Sequence, residues 1–323
     1  MARWIAVFFC IAPLYLWGFD YVKAYREGGL EAIKAQLQKE LASQNYWSES
    51  LKDEDVRFGY YESVQYVFVA NKQTSTLALY QKNGNRLEQK YSLDSLMGSK
   101  PGDKMVEGDL KTPIGAYDLT SRLTKLDSFY GPLAYVTSYP NTYDRVQGKT
   151  GHGIWIHGLP LSGEREINTQ GCIAINNDRL NEIDKVVNHQ QAVLLTSEGT
   201  LGEMSKAQAA ALLGDLFAWR QAWEENDLAT YLGFYDEQHF KRFDKMRFED
   251  FKDYKRKVFE RKESKSIDFT KINISPYPND KGEALFRIAF YEKYRASGGY
   301  RFEGNKEIYV RLVNGKMRII AEK

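Results

Sequence analysis

The chain has 323 residues, 43% of them hydrophobic and 14% aromatic, with a formal net charge of +2 at pH 7. That length suits two domains, each able to bury its own core, and the apolar content describes a globular chain. A charge so close to neutral gives no electrostatic reason to expect a nucleic-acid partner.

At the start, Arg3 precedes an uncharged, mostly apolar run from Trp4 to Phe19, followed by Asp20 and Lys23. The run is short of the roughly 20 apolar residues of a membrane span and suits the core of an export signal. Val22-Lys23-Ala24 is a poor cleavage site, so residues 1–24 read either as a removed signal or as an uncleaved anchor. Cys10 follows Phe9 rather than the small residue expected before a lipid-attachment cysteine. If the signal is removed, Cys172 is the only thiol left and no intrachain disulfide can form.

Residues 25–62 form a helical N-terminal segment, in which Leu30, Ile33, Leu37 and Leu41 make an apolar stripe at helical spacing. The stripe packs either on the next domain or on a second copy, which would make a homodimer. From Ser63 the period falls to two. Alternating runs interrupted by Ala70-Asn71 and Asn83-Gly84 predict hairpins, and further strands are predicted in "IGAYDLTS", "LAYVTSYP", "GIWIHG" and "QAVLLTS". Between the last two, "NNDRLNEIDKVVNHQQ" predicts a helix with Leu180, Ile183, Val186 and Val187 on one face. Residues 63–197 are therefore a mainly-β domain.

A linker follows, and Ser205 can cap a long helix over Lys206–Tyr235. A second helix near Phe248–Ser264 precedes four strand-like runs joined by polar and glycine-rich turns. Residues 205–323 thus read as an α+β domain, a curved sheet covered by helices. The basic, aromatic-rich stretch 241–265 reads as a solvated helix face over a buried aromatic stripe, or as a contact for an anionic glycan or peptide.

The chemistry centres on Cys172. A lone thiol is either a small buried hydrophobe or a nucleophile. His157 ends a half-buried strand fifteen residues earlier, on the same side as Trp155, where an imidazole can take a thiol proton. Gly171 permits close backbone approach, and the N–H groups of Gly171 and Cys172 are candidate oxyanion donors. His152 lies five residues before His157. Along a continuous strand that spacing puts the two on opposite faces, which argues against a shared site or a zinc pair.

The pattern "IHG…TQGCIAI" together with "KTPIGAY" (Thr112 to Tyr117) resembles the signature of the L,D-transpeptidase catalytic (YkuD) domain over residues 63–197. "FAWRQAWEENDLATYLGFY" and the strands after it are similar to nuclear transport factor 2-like cones. The combination is similar to the cell-shape L,D-carboxypeptidases of helical Gram-negative bacteria. The resemblance implies a multi-domain protein: a mainly-β YkuD-like catalytic domain, an α+β cone and a short helical N-terminal segment. It further implies a periplasmic enzyme that acts on peptidoglycan muropeptides without metal or cofactor. Cys172 would be the nucleophile and His157 the base, with the Gly158 carbonyl orienting the imidazole. Trp155, Thr169 and Gln170 would contact substrate. Thr169 stands where the family usually has serine, Gln170 where a histidine is common, and Ala174 where an arginine is expected. Ala174 therefore alters the substrate contact at its position, and Lys306 or Arg301 of the cone would receive the substrate carboxylate instead. The expected reaction trims tetrapeptide stems to tripeptides; the alternatives are crosslinking transpeptidation and an inactive wall-binding scaffold.

Overall fold

The computed structural model describes residues 19–162, 168–279 and 281–322. The apolar run Trp4–Phe19 lies, except for Phe19, outside the described residues. Among those described, no helix is long and apolar enough to cross a membrane.

The chain divides into two compact units, residues 1–40 and 41–323. In the first, helix α1 (Tyr21–Leu41) is interrupted at Gly29, whose φ of 66° is not helical. The Tyr21 hydroxyl donates to Glu40, 2.6 Å away and nineteen residues on, so the two arms fold back on one another. The expected continuous stripe is therefore broken. Leu30 and Leu37 remain exposed, and α1 has no buried residue.

The second unit begins with α2 (Gln44–Ser50), β1 (Tyr60–Tyr61), β2 (Tyr66–Asn71), β3 (Thr76–Asn83) and β4 (Arg86–Asp94). β5 (Gly115–Leu123), β6 (Ala134–Thr137), α3 (Thr142–Val146), β7 (Trp155–His157), β8 (Ile173–Ala174), α4 (Asn177–Asp184) and β9 (Ala192–Ser197) complete the first domain. Its eight strands form one sheet in the order β4-β3-β2-β9-β5-β6-β7-β8. The alternation read from the sequence holds: Phe68, Leu77, Leu79, Tyr117, Tyr135 and Ile156 meet in one core with Leu180 and Ile183 of α4. Val186 lies beyond the end of α4 and is exposed.

α5 (Lys206–Glu224) starts at Ser205, which accepts from Gln208 N in a capping box. The predicted long helix stops at Asn226, which takes a positive φ, and Asp227 caps a separate α6 (Leu228–Gly233). β10 (Lys241–Arg242), α7 (Phe248–Phe259), β11 (Lys265–Pro276), β12 (Leu285–Ala296), β13 (Arg301–Val313) and β14 (Lys316–Glu322) follow. α5 is apolar on nearly every side because the sheet covers one flank and α2 another, with Trp47 stacked on Phe217 at 5.7 Å.

The sequence did not reveal where residues 42–61 belong. Their β1 is an edge strand of the C-terminal sheet, pairing Tyr60 with Ile274 and Tyr61 with Asn273. Trp47, Leu51 and Val56 lie in the C-terminal core. The catalytic-type domain is thus inserted within the C-terminal one. A further apolar cluster joins the two sheets, with Val67, Ala116, Val193 and Leu195 from one side and Tyr277, Leu285, Tyr309 and Ile320 from the other.

Candidate active site

The site is assembled by two motifs that brace each other. Thr112 is fully buried, and its hydroxyl accepts from Gly98 N at 2.9 Å. Met97 O, one residue earlier, accepts from Thr169 N at 2.9 Å. The Thr169 hydroxyl then donates to Cys172 O at 2.6 Å and accepts from Gly171 N at 3.0 Å, closing the turn that carries the thiol. Gly171 has φ +135°, and a Cβ there would stand 2.6 Å from Lys111 O, so only glycine lets the Thr-Pro segment pack behind the cysteine. Cys172 is partly buried, and its Sγ lies 3.4 Å from Gly153 O.

β7 delivers the imidazole. It lies between antiparallel β6 and parallel β8, which sets Ile156 beside Ile173 and His157 beside Ala174. His157 is almost wholly buried, with Nδ1 2.7 Å from Gly158 O. A carbonyl only accepts, so Nδ1 carries the hydrogen and Nε2 keeps the lone pair that a general base needs. The Tyr130 ring meets His157 edge-on at 5.1 Å and also packs on Trp155. A Cβ on Gly158 would sit 2.2 Å from Asn177 Oδ1, so this carbonyl also requires glycine.

Cys172, His157, Trp155, Thr169 and Gln170 line one cavity of about 650 Å³. Three expectations need correction. The Gly171 N–H is committed to Thr169 and is not a free oxyanion donor. Ala174 is not a substrate contact: it is buried in β8, exchanges both backbone hydrogen bonds with Leu96 and does not line the cavity. Lys306 lies in a separate cavity of about 690 Å³ in the C-terminal domain, and Arg301 lines neither.

His152 also departs from expectation. The strand begins only at Trp155 and Gly153 has φ +67°, so the alternation rule does not reach His152, which lines the same cavity as His157. It pairs with Glu107 at 3.4 Å on the exposed rim. Lys104 and Tyr130 line the cavity as well and were not anticipated. The available signals were the "DKMVEGD" run just before the Thr-Pro motif and the aromatic pair before Gly131-Pro132. Among the described residues, no three His, Cys, Asp or Glu side chains converge as a metal site would require.

Residues 65–195 match the L,D-transpeptidase catalytic domain (YkuD) family, and residues 211–323 match the Cds6 C-terminal NTF2-like domain. The helical cell shape determining protein Pgp2 of Campylobacter jejuni is 44% identical. The match covers 87% of this chain and 99% of that structure, with a TM-score of 0.82. The chain belongs to the Pgp2 family. Bd1075 of Bdellovibrio bacteriovorus is 25% identical, with 84% of this chain and 96% of that one covered at a TM-score of 0.63. YafK of Escherichia coli K12, whose name places it among L,D-transpeptidases, is 33% identical over 118 residues. That match takes in 36% of this chain and 44% of YafK, so the chain spans under half the length of its curated relative.

In this family setting, Thr169 in place of serine is conservative, since both of its side-chain bonds use the hydroxyl. Thr169→Ser should retain most activity. Thr169→Val removes the two bonds that hold the turn and should lower kcat on the order of 100-fold. Steady-state kinetics of the two variants test this, and equal rates would contradict it.

Proposed function

We propose that the protein is a periplasmic L,D-carboxypeptidase that trims the tetrapeptide stems of peptidoglycan to tripeptides and so acts on cell shape. The observation that carries this reading is the Thr112–Gly98, Met97–Thr169–Cys172 hydrogen-bond chain, which sets a thiol on the wall of the cavity that His157 also lines. In the reaction, His157 Nε2 takes the Cys172 proton as Sγ bonds to the carbonyl carbon of the diaminopimelate residue. The tetrahedral oxyanion collapses and the bond to the terminal D-alanine breaks. His157 returns its proton to the leaving amine, leaving a thioester. Water, deprotonated by His157, then attacks the thioester, and the thiol leaves with the proton restored.

The C-terminal cavity fits a second contact with the same polymer. Lys306 lies over Trp223 at 4.9 Å, and Lys255 lies 5.1 Å from the same ring. Burial pushes the Lys255 ammonium down to about 8, with Lys306 and Arg242 adding to the effect against Glu322 and Glu292. These cations suit the carboxylates of a stem not being cleaved, which favours the contact reading of the basic stretch 241–265. The exposed Leu30 and Leu37 suit a second copy. A chain starting at residue 41 keeps Trp47 and should stay folded but be monomeric in light scattering where the longer chain is dimeric; identical masses would end this part of the proposal.

Purified protein incubated with disaccharide tetrapeptide should yield disaccharide tripeptide and free D-alanine, detected by mass. Dimeric muropeptide in their place would make the protein a transpeptidase, with an amine as acceptor. No conversion would leave it a wall-binding scaffold.

A further inference from the structure

Lys104 is the one lysine or arginine among the described residues lining the Cys172 cavity, and its setting is unusual for a cation. Its side chain is 3% exposed, and its ammonium donates to Asp109 Oδ1 at 2.8 Å. Its end runs between two glycines. Cε would be 2.8 Å from a Cβ on Gly151, and Nζ 3.5 Å from a Cβ on Gly171, the residue before the nucleophile. Tyr139 pins the backbone by donating to Lys104 O at 3.1 Å. Behind the ammonium, burial opposes ionisation of Asp109. Lys104 and the N–H groups of Met105, Val106 and Lys111 overcome it and hold the carboxyl down to about 2. The ammonium has three N–H donors, and Asp109 engages one.

The other charges on this wall do not compete. Glu107 and His152 satisfy each other on the rim, and His157 is tied to Gly158. An enzyme that removes one C-terminal residue must distinguish a free carboxylate about one residue, roughly 3.5 Å of chain, beyond the carbonyl it attacks. A fixed cation one residue from the nucleophile meets that requirement. Position 174, where the arginine was expected, is buried in β8 and does not line the cavity.

We infer that Lys104 is the specificity residue that binds the free α-carboxylate of the departing amino acid, an inference that rests on the carboxypeptidase reading. The Asp109 carboxylate orients the ammonium, and Gly151 and Gly171 leave it room.

The test uses binding, so it does not depend on turnover. In the Cys172→Ala chain, calorimetry compares disaccharide tetrapeptide with the same stem carrying a C-terminal carboxamide, and with a stem amidated only on the diaminopimelate carboxylate. The free acid should bind about 10- to 100-fold tighter than the terminal carboxamide, the range expected of a hydrogen bond to a charged group, and amidating the diaminopimelate should change little. Lys104→Met should erase the terminal preference and Lys104→Arg should restore most of it. Asp109→Asn, with Lys104 intact, should weaken the preference without erasing it. Equal binding of acid and terminal carboxamide, a preference that survives Lys104→Met, or a preference that follows the diaminopimelate carboxylate would overturn the assignment. Failure of the intact protein to release D-alanine would count against the proposed reaction alone.

Discussion

Cys172→Ala should reduce tripeptide formation on the order of 10,000-fold or more, since no other group on the cavity wall can form the thioester. His157→Gln should fall to a similar level, because its partner Gly158 O orients the ring without replacing its basicity. The two losses should not add: the double variant should be no slower than Cys172→Ala, as expected of residues acting on one step. Cys172→Ala should keep the wild-type melting temperature, because the turn around Cys172 is held by Thr169, Gly171 and backbone. Tripeptide formation that survives Cys172→Ala would remove the thiol from the mechanism.

Arg287→Met should lower unfolding stability by about 3 kcal/mol, the lower end of the cost of breaking a buried ion pair, because water reaches Asp118. Arg287, from β12, is 7% exposed; it donates to both Asp118 oxygens of β5 at 2.7 and 2.6 Å and to Glu307 of β13 at 2.9 Å. Asp118→Asn leaves the Glu307 bond in place and should cost about 1 kcal/mol. Burial opposes ionisation of Asp118, and Arg287 overcomes it, holding the carboxyl below its usual value. The pair therefore stabilises fully above a pH of about 4 and loses its effect as pH falls through the lower folded-state value. Urea midpoints across that range should converge for wild type and Arg287→Met in acid. Equal midpoints at pH 7 would contradict this assignment.

Legibility followed the range of the interactions. The strands β2 to β7, β9 and β11 to β14 were readable because period-two burial is local and each break carries its own turn residues, whereas the two-residue β8 is too short to show a period. Cys172 and His157 stood out because of their glycines, and Thr112 through its motif. Lys104 was hidden because the glycines its side-chain end runs between, Gly151 and Gly171, are not near it in the chain. His152 was misjudged because the alternation rule was extended past the strand's first residue, across Gly153. Trp47 of α2 fell within the segment read as one helical N-terminal piece and outside its apolar stripe, yet it stacks on Phe217 of α5, 170 residues later. Gly171 was correctly singled out for its backbone freedom, while the partner of its N–H depended on a hydroxyl two residues away.

The insertion of one domain within the other also has a consequence in time. The Tyr61 hydroxyl meets Ser275 at 3.2 Å across 214 residues of chain, so the edge of the C-terminal sheet waits through synthesis of the whole inserted domain. Such distant pairings form late. Tyr277 donates to Asp144, which pairs with Lys149, and Lys149 in turn holds Asp103, whose carboxylate accepts from Ile114 N beside Thr112. A polypeptide that stops short of β11 lacks the Tyr277 bond to Asp144, while Lys149, Asp103 and Ile114 still link that carboxylate to the Thr-Pro segment. Tyr277, just past β11, therefore adds the last bond to a network that otherwise closes within the inserted domain, so the C-terminal sheet reports to the site through a single side chain.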